Sequence, residues 1–172
     1  MFRIFPFIFI HWFVFSQERP VLAPEDLLRL IPEQVENFRL SGDPKARMIK
    51  IGTLSYTMAE RNFMRGKQKI KILLFDYNNA LIMYSQAMRS IKQPTEETSM
   101  YHLASLTESG NYQYGENIEP EKNICQLFLG VNDRFFLSIS CENTDSSILH
   151  GLLNQFDFKN WVRTPIDEAK FR

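Results

Sequence analysis

Charge of one sign is what this sequence most plainly lacks, since 20 Lys and Arg stand against 20 Asp and Glu. A chain without net charge has no general attraction for nucleic acid or an anionic lipid surface, so a partner has to be recognised locally. Cysteine is scarce, at two in 172 residues. That excludes a disulfide lattice as the source of the fold and, with no C-x-x-C pair, a dithiol redox centre. The seven glycines are scattered; they form no phosphate-cradling loop, and there is no G-x-S-x-G nucleophile elbow. Beyond His11 in the apolar start, the histidines are His102 and His150. A zinc site combining these with Cys125 and Cys141 lacks ligand spacing. Internal repeats and low-complexity tracts are missing too. No cofactor is implied by any of this.

The one long apolar run, Ile4 to Phe15, has 12 residues, short of the ~20 that span a bilayer as a helix. Met1-Phe2-Arg3 precedes it, Val14-Phe15-Ser16 offers a cleavage point, and Gln17-Glu18-Arg19-Pro20 opens a polar segment. This is the order of a secretory signal peptide, so the sequence predicts a leader over 1–16 and an exported chain from Gln17. Five phenylalanines in the run alternate with nothing polar, which argues against a buried strand. The 156 residues left suit one globular domain over 17–172. A chain of that size buries roughly 70% of its extended surface without metal or disulfide help.

Pro24-Glu25-Asp26 before Leu27, Leu28, Leu30 and Ile31 predicts a short helix ended by Pro32, with acids at the positive end of its dipole. Residues 33–47 read as a polar connection. From Met48 to Phe75 the pattern predicts a hairpin turning at Arg65-Gly66-Lys67, with Gly52 as a bulge or a break. Asp76, Asn78 and Asn79 suit turns and helix caps. Leu81, Tyr84, Met88 and Ile91 recur at helical spacing and predict an amphipathic helix that ends before Pro94. Tyr101–Thr107 and Tyr112–Gly115 predict a second hairpin, followed by an acidic loop carrying Glu116, Glu119 and Glu121. After a last hairpin, Ile124–Cys141, a helix starts near Thr144 or Asp145, with Ile148, Leu149, Leu152, Leu153 and Phe156 as its apolar stripe. The expected fold is α+β, an antiparallel sheet of about six strands with three helices in the order α-ββ-α-ββββ-α.

The last hairpin also predicts its register. Cys125, Leu127, Leu129 and Val131 share one strand face, and Phe135, Leu137, Ile139 and Cys141 one face of the next. A two-residue turn at Asn132-Asp133 sends one of these rows to solvent. A three-residue loop, Asn132-Asp133-Arg134, keeps both inside and sets Cys125 opposite Cys141. Facing cysteines are open to a disulfide, favoured by an oxidising compartment, and to two buried free thiols. Phe128 and Phe136 then point away from the core face. They lie either under a helix or in an exposed apolar patch for a ligand or partner.

Asp76 with Asn78 and Asn79 is a candidate for anion or cation binding where strand becomes helix, against the commoner role of capping. Glu116, Glu119 and Glu121 lack calcium-loop spacing, and Met58, Met64, Met83 and Met88 read as core filler rather than a copper site.

The string Ser55-Tyr56-Thr57-Met58-Ala59-Glu60-Arg61-Asn62-Phe63, then Ile70-Lys71-Ile72 with Asp76-Tyr77, and Val131-Asn132-Asp133-Arg134-Phe135, resembles small exported bacterial proteins of uncharacterised families. The resemblance covers residues 25 to 160. It implies a periplasmic or outer-envelope location, permits a PsbP-like sandwich, and carries over no functional residue. The reading that follows is a non-enzymatic envelope module binding an envelope protein or a small apolar ligand on its sheet. The alternative is a hydrolase-like envelope enzyme centred near Asp76 or His102.

Overall fold

Buried positions alternate along the strands, and their parity decides which sheet face carries the core. The structure, a computed structural model, describes residues 19–92, 104–106 and 112–162. The expected leader, His102 and the turn around Gly110 lie outside the described residues. The described elements are α1 (Pro24–Arg29), β1 (Arg39–Leu40), β2 (Lys45–Ile51), β3 (Leu54–Arg65), β4 (Gln68–Asn79), α2 (Leu81–Lys92), β5 (Ala104–Leu106), β6 (Tyr112–Glu119), β7 (Ile124–Val131), β8 (Phe135–Glu142) and α3 (Ser147–Leu153). All strand pairs are antiparallel. Across the sheet the order is β3, β4, β8, β7, β6, β5, with β1 and β2 both on the outer edge of β3. The α+β class is as expected.

Two strands exceed the expected number: β1 and the first three residues of β2 come from the supposed polar connection, while Met48–Ile51 lie inside the expected hairpin and are set apart from β3 by the break at Gly52. Arg39 faces Met64 and Lys45 faces Glu60. Six residues of advance on one side therefore match four on the other, and β1 and β2 are one edge strand interrupted by two looped-out residues. The edge is solvated, with Lys45, Arg47, Met48 and Lys50 all exposed, so it shows none of the apolar period that marks a strand. Gly52 is a break: its φ of +62° belongs to the tight turn between β2 and β3.

The core face takes Ala59 and Phe63 from β3, Ile70, Ile72 and Leu74 from β4, and the two apolar rows of β7 and β8. Leu27 and Ile31 from the α1 region and Leu149 and Leu152 from α3 close over it. Val131 pairs with Phe135, Leu129 with Leu137, Leu127 with Ile139, and Cys125 with Cys141, the register predicted for a three-residue loop. Asn132 and Asp133 take left-handed φ values of 54° and 50°, which Asn and Asp tolerate better than branched residues. The apolar stripe of α3 is shorter than expected. Asp145 Oδ1 accepts the Ser147 N–H at 2.8 Å, and Phe156 lies beyond the helix end, packed edge-on against Trp161.

α2 covers part of the opposite face, where Ala80, Met88 and Ile91 are buried outside the main core cluster. It sits close because Gly130 has no side chain. A Cβ there would lie 2.8 Å from Met88 Cε and closer still to Met88 Sδ and the Tyr84 hydroxyl. Among the described residues no helix is long and apolar enough to cross a membrane.

Candidate functional site

Asp76, Asn78 and Asn79 do not form a helix cap. They are the last residues of β4, and their side chains hold the chain's own N-terminal segment. Leu22 N–H donates to Asp76 Oδ2 at 2.7 Å, Asn78 Nδ2 to the Pro20 carbonyl at 2.6 Å, and Arg19 N–H to Asn79 Oδ1 at 3.2 Å. Thr57 on β3 adds a hydroxyl donation to the Leu22 carbonyl at 2.7 Å. These bonds satisfy polar groups that a strand end leaves over, and so allow β4 to run through a turn-prone sequence.

The charge at this corner is neutralised from within. Asp76 is fully buried, and Arg134 grips it with Nε to Oδ1 at 2.7 Å and Nη2 to Oδ2 at 2.6 Å, a bidentate pair. Arg134 is the residue that the three-residue loop leaves out of the β7–β8 ladder, so the register that saves the core also supplies the counter-charge. The carboxylate thus has four donors, counting the Asn78 N–H at 3.0 Å. The arrangement is that of a structural clamp rather than an open ion site.

Phe128 and Phe136 point to the α2 side of the sheet and are half-buried, so the helix covers them only in part. They belong to a row that crosses four strands. Ring centroids are 6.2 Å apart for Phe128–Phe136, 6.2 Å for Phe136–Phe75 and 6.4 Å for Phe75–Tyr56, with Tyr77 5.3 Å from Tyr56. These separations lie in the range where aromatic rings attract edge-on or offset. Burial pushes the Tyr77 hydroxyl up to about 12, helped by neighbouring Tyr56, and burial also raises Tyr84 on α2, helped by Asp133. Both phenols are therefore neutral at any ordinary pH.

The cysteines expected to face each other are bonded, with Cα atoms 5.1 Å apart and both side chains on the core face. The supposed acidic loop is largely strand. β6 extends to Glu119 against β7, and only residues 120–123 leave the ladder, as a single 3₁₀ turn over Pro120–Lys122 closed by a left-handed Asn123. Glu116 is buried, with its Oε1 2.8 Å from His150 Nε2 on α3. Glu119 pairs with Lys122, whereas Glu121 is exposed. Beside His150 is an open recess of about 540 Å³ lined by Tyr112, Leu153, Phe156, Phe158 and Lys159. Neither Arg134 nor the Glu116–His150 pair is visible as a pair in the sequence, because 58 and 34 residues separate the partners. Among the described residues no three His, Cys, Asp or Glu side chains gather as metal ligands would. Compared with protein-family models, curated proteins and solved structures, the chain finds no match in any of the three.

Proposed function

We propose that the chain is exported and that its domain is a non-enzymatic binding module of the cell envelope, taking a small apolar ligand against the aromatic row beside α2. The observation that carries this is the row itself. Four rings, Tyr56, Phe75, Phe136 and Phe128, lie in sequence across the sheet on the face away from the main core, and they are only half-buried. A face built merely to be covered has no need of so much partly wet aromatic surface. Rigid rings offer large contact area at little entropic cost.

The test uses N-phenyl-1-naphthylamine, an apolar fluorophore. Saturable binding is expected, weakened at least tenfold, or about 1.4 kcal/mol, when Phe128→Ser and Phe136→Ser are combined. A melting curve would establish that the variant stays folded. Unchanged affinity in a folded double variant would remove the row from the reading. A co-purifying envelope protein lost in the same variant would replace the ligand by a protein partner.

Export supplies the oxidising compartment that suits the Cys125–Cys141 bond. Intact mass of the protein recovered outside the cytoplasm is expected to correspond to a start at Gln17. A mass that still includes residues 1–16 would count against the leader.

A second reading, a hydrolase-like envelope enzyme, draws on Glu116 and His150 beside the recess at Tyr112, a carboxylate and an imidazole 2.8 Å apart. It would move the centre away from Asp76, whose carboxylate is occupied by Arg134.

A further inference from the structure

An edge strand whose outer backbone groups are free is a template for another strand, and proteins ordinarily blunt such edges with charge. Here the edge is formed by β1 and β2, which among the described residues pair only with β3. It carries Arg39, Lys45, Arg47 and Lys50 against a single acid, Asp43, over residues 39–51. Charge alone would be protective. The apolar residues are what protection does not explain: of five large hydrophobic side chains exposed among the described residues, three are Leu40, Met48 and Ile51 on this edge, at 44%, 43% and 55%.

Apolar and basic side chains interleaved along one free strand define what fits beside it. We infer that the β1–β2 edge receives an extended acidic segment of a partner protein by strand addition. Main-chain hydrogen bonds to the β2 edge supply affinity, alternate carboxylates meet Lys45 and Arg47 on one face, and the apolar side chains between them meet Met48 and the stem of Lys50 on the other. The pairing Lys45↔Glu60, Arg47↔Met58 and Met48↔Thr57 sets these faces, because residues opposite each other point the same way. Glu60, the residue facing Lys45, is already engaged by Lys71 at 3.3 Å, and among the described residues neither Arg47 nor Lys50 makes an ion pair. A second copy of this chain fits poorly, since edge-to-edge pairing brings two basic strands together.

The probe is an end-blocked, fluorescent heptapeptide of alternating glutamate and valine, followed by anisotropy at low and high salt. Saturable binding is expected, at least tenfold weaker for the variant K45E/R47E/K50E and for a peptide N-methylated at alternate amides, whose charge is the same but whose ladder bonds are blocked. The three positions are exposed or at the edge, so the variant is expected to keep its circular dichroism. Met48→Ser with Ile51→Ser, which changes no charge, provides a second loss-of-binding test. The Phe128/Phe136 variant is expected to bind the peptide normally, which separates this site from the aromatic row. Absence of saturable binding, or equal binding of the methylated peptide, overturns strand addition. Sedimentation with phosphatidylglycerol vesicles without peptide binding would overturn it in favour of a lipid-facing edge.

Discussion

Replacing Arg134 by alanine is expected to cost about 3–5 kcal/mol, the range for removing one partner of a buried ion pair and a large part of the roughly 5–15 kcal/mol that holds a typical domain together. Asp76 has no access to water. Without the guanidinium its charge rests on two backbone amides, those of Leu22 and Asn78, too few donors for a buried carboxylate. Asp76→Ala is expected to cost a similar amount by the converse route, leaving Arg134 as a buried cation with Phe135 as its remaining close contact, 4.9 Å from the ring centroid. It also removes the acceptor for the Leu22 N–H, so amide exchange at Leu22 is expected to accelerate in Asp76→Ala. The decisive measurement is a double-mutant cycle by urea denaturation. Asp76→Leu with Arg134→Met should cost far less than the two single changes added together, because the charges leave the interior as a pair. Additive costs would mean that the two residues act independently, and the clamp as described would not exist.

The parts of this fold legible in the sequence are those in which a pattern closes on itself. β7 and β8 each carry four alternating core residues, and only one loop length lets both rows point inward, so the register and the facing cysteines followed without knowledge of the rest of the sheet. The helix at Leu81–Lys92 was legible for the same reason, a stripe repeating at helical spacing. Of the β1–β2 edge only Met48–Ile51 falls inside the expected hairpin; β1 and the start of β2 were not legible, because a strand wet on its outer side has no period to show. Asp76–Asn79 was misassigned for a more specific reason. Asp and Asn favour turns when their side chains bond locally; here one local bond is made, Asn78 N–H to Asp76, but all three side chains also bond to residues 19–22, more than 50 positions away. Of the candidate site, Phe128 and Phe136 could be placed on the outer face by parity alone. Phe75 and Tyr77 are out of phase with Ile70, Ile72 and Leu74, a signal that they share the outer face. Joining them to Phe136 required the β4–β8 pairing, which no local pattern encodes. The Glu116–His150 contact was hidden likewise, because a strand with Glu, Asn and Gly inside it reads as a loop.

Removing the disulfide is expected to lower stability by about 3 kcal/mol, the chain-entropy value for a loop of this size. The bonded residues are 16 apart, and the bridge restricts chiefly the unfolded chain. For a domain of this size that loss corresponds to a melting temperature lower by roughly 6–12 °C. Cys125→Ala with Cys141→Ala is the cleaner substitution, because a serine hydroxyl at either site would be buried in the core with Ile70 and Ile118 as cross-strand neighbours and would add its own cost. The double variant is expected to keep the far-ultraviolet signature of the sheet, since the core rests on some twenty buried apolar side chains spread over the strands and helices and each large one contributes about 1.5–3 kcal/mol. Burial predicts a kinetic signature as well. Both cysteines are shielded, so a water-soluble phosphine should reduce the bond slowly in the folded protein and rapidly in denaturant, where opening no longer limits access. Thiol-reactive label should find no cysteine in the unreduced chain, folded or unfolded, and two after reduction. Labelling of the unreduced, denatured chain would show that the thiols were free. The exported, oxidising setting proposed for this domain would then lose its one covalent support.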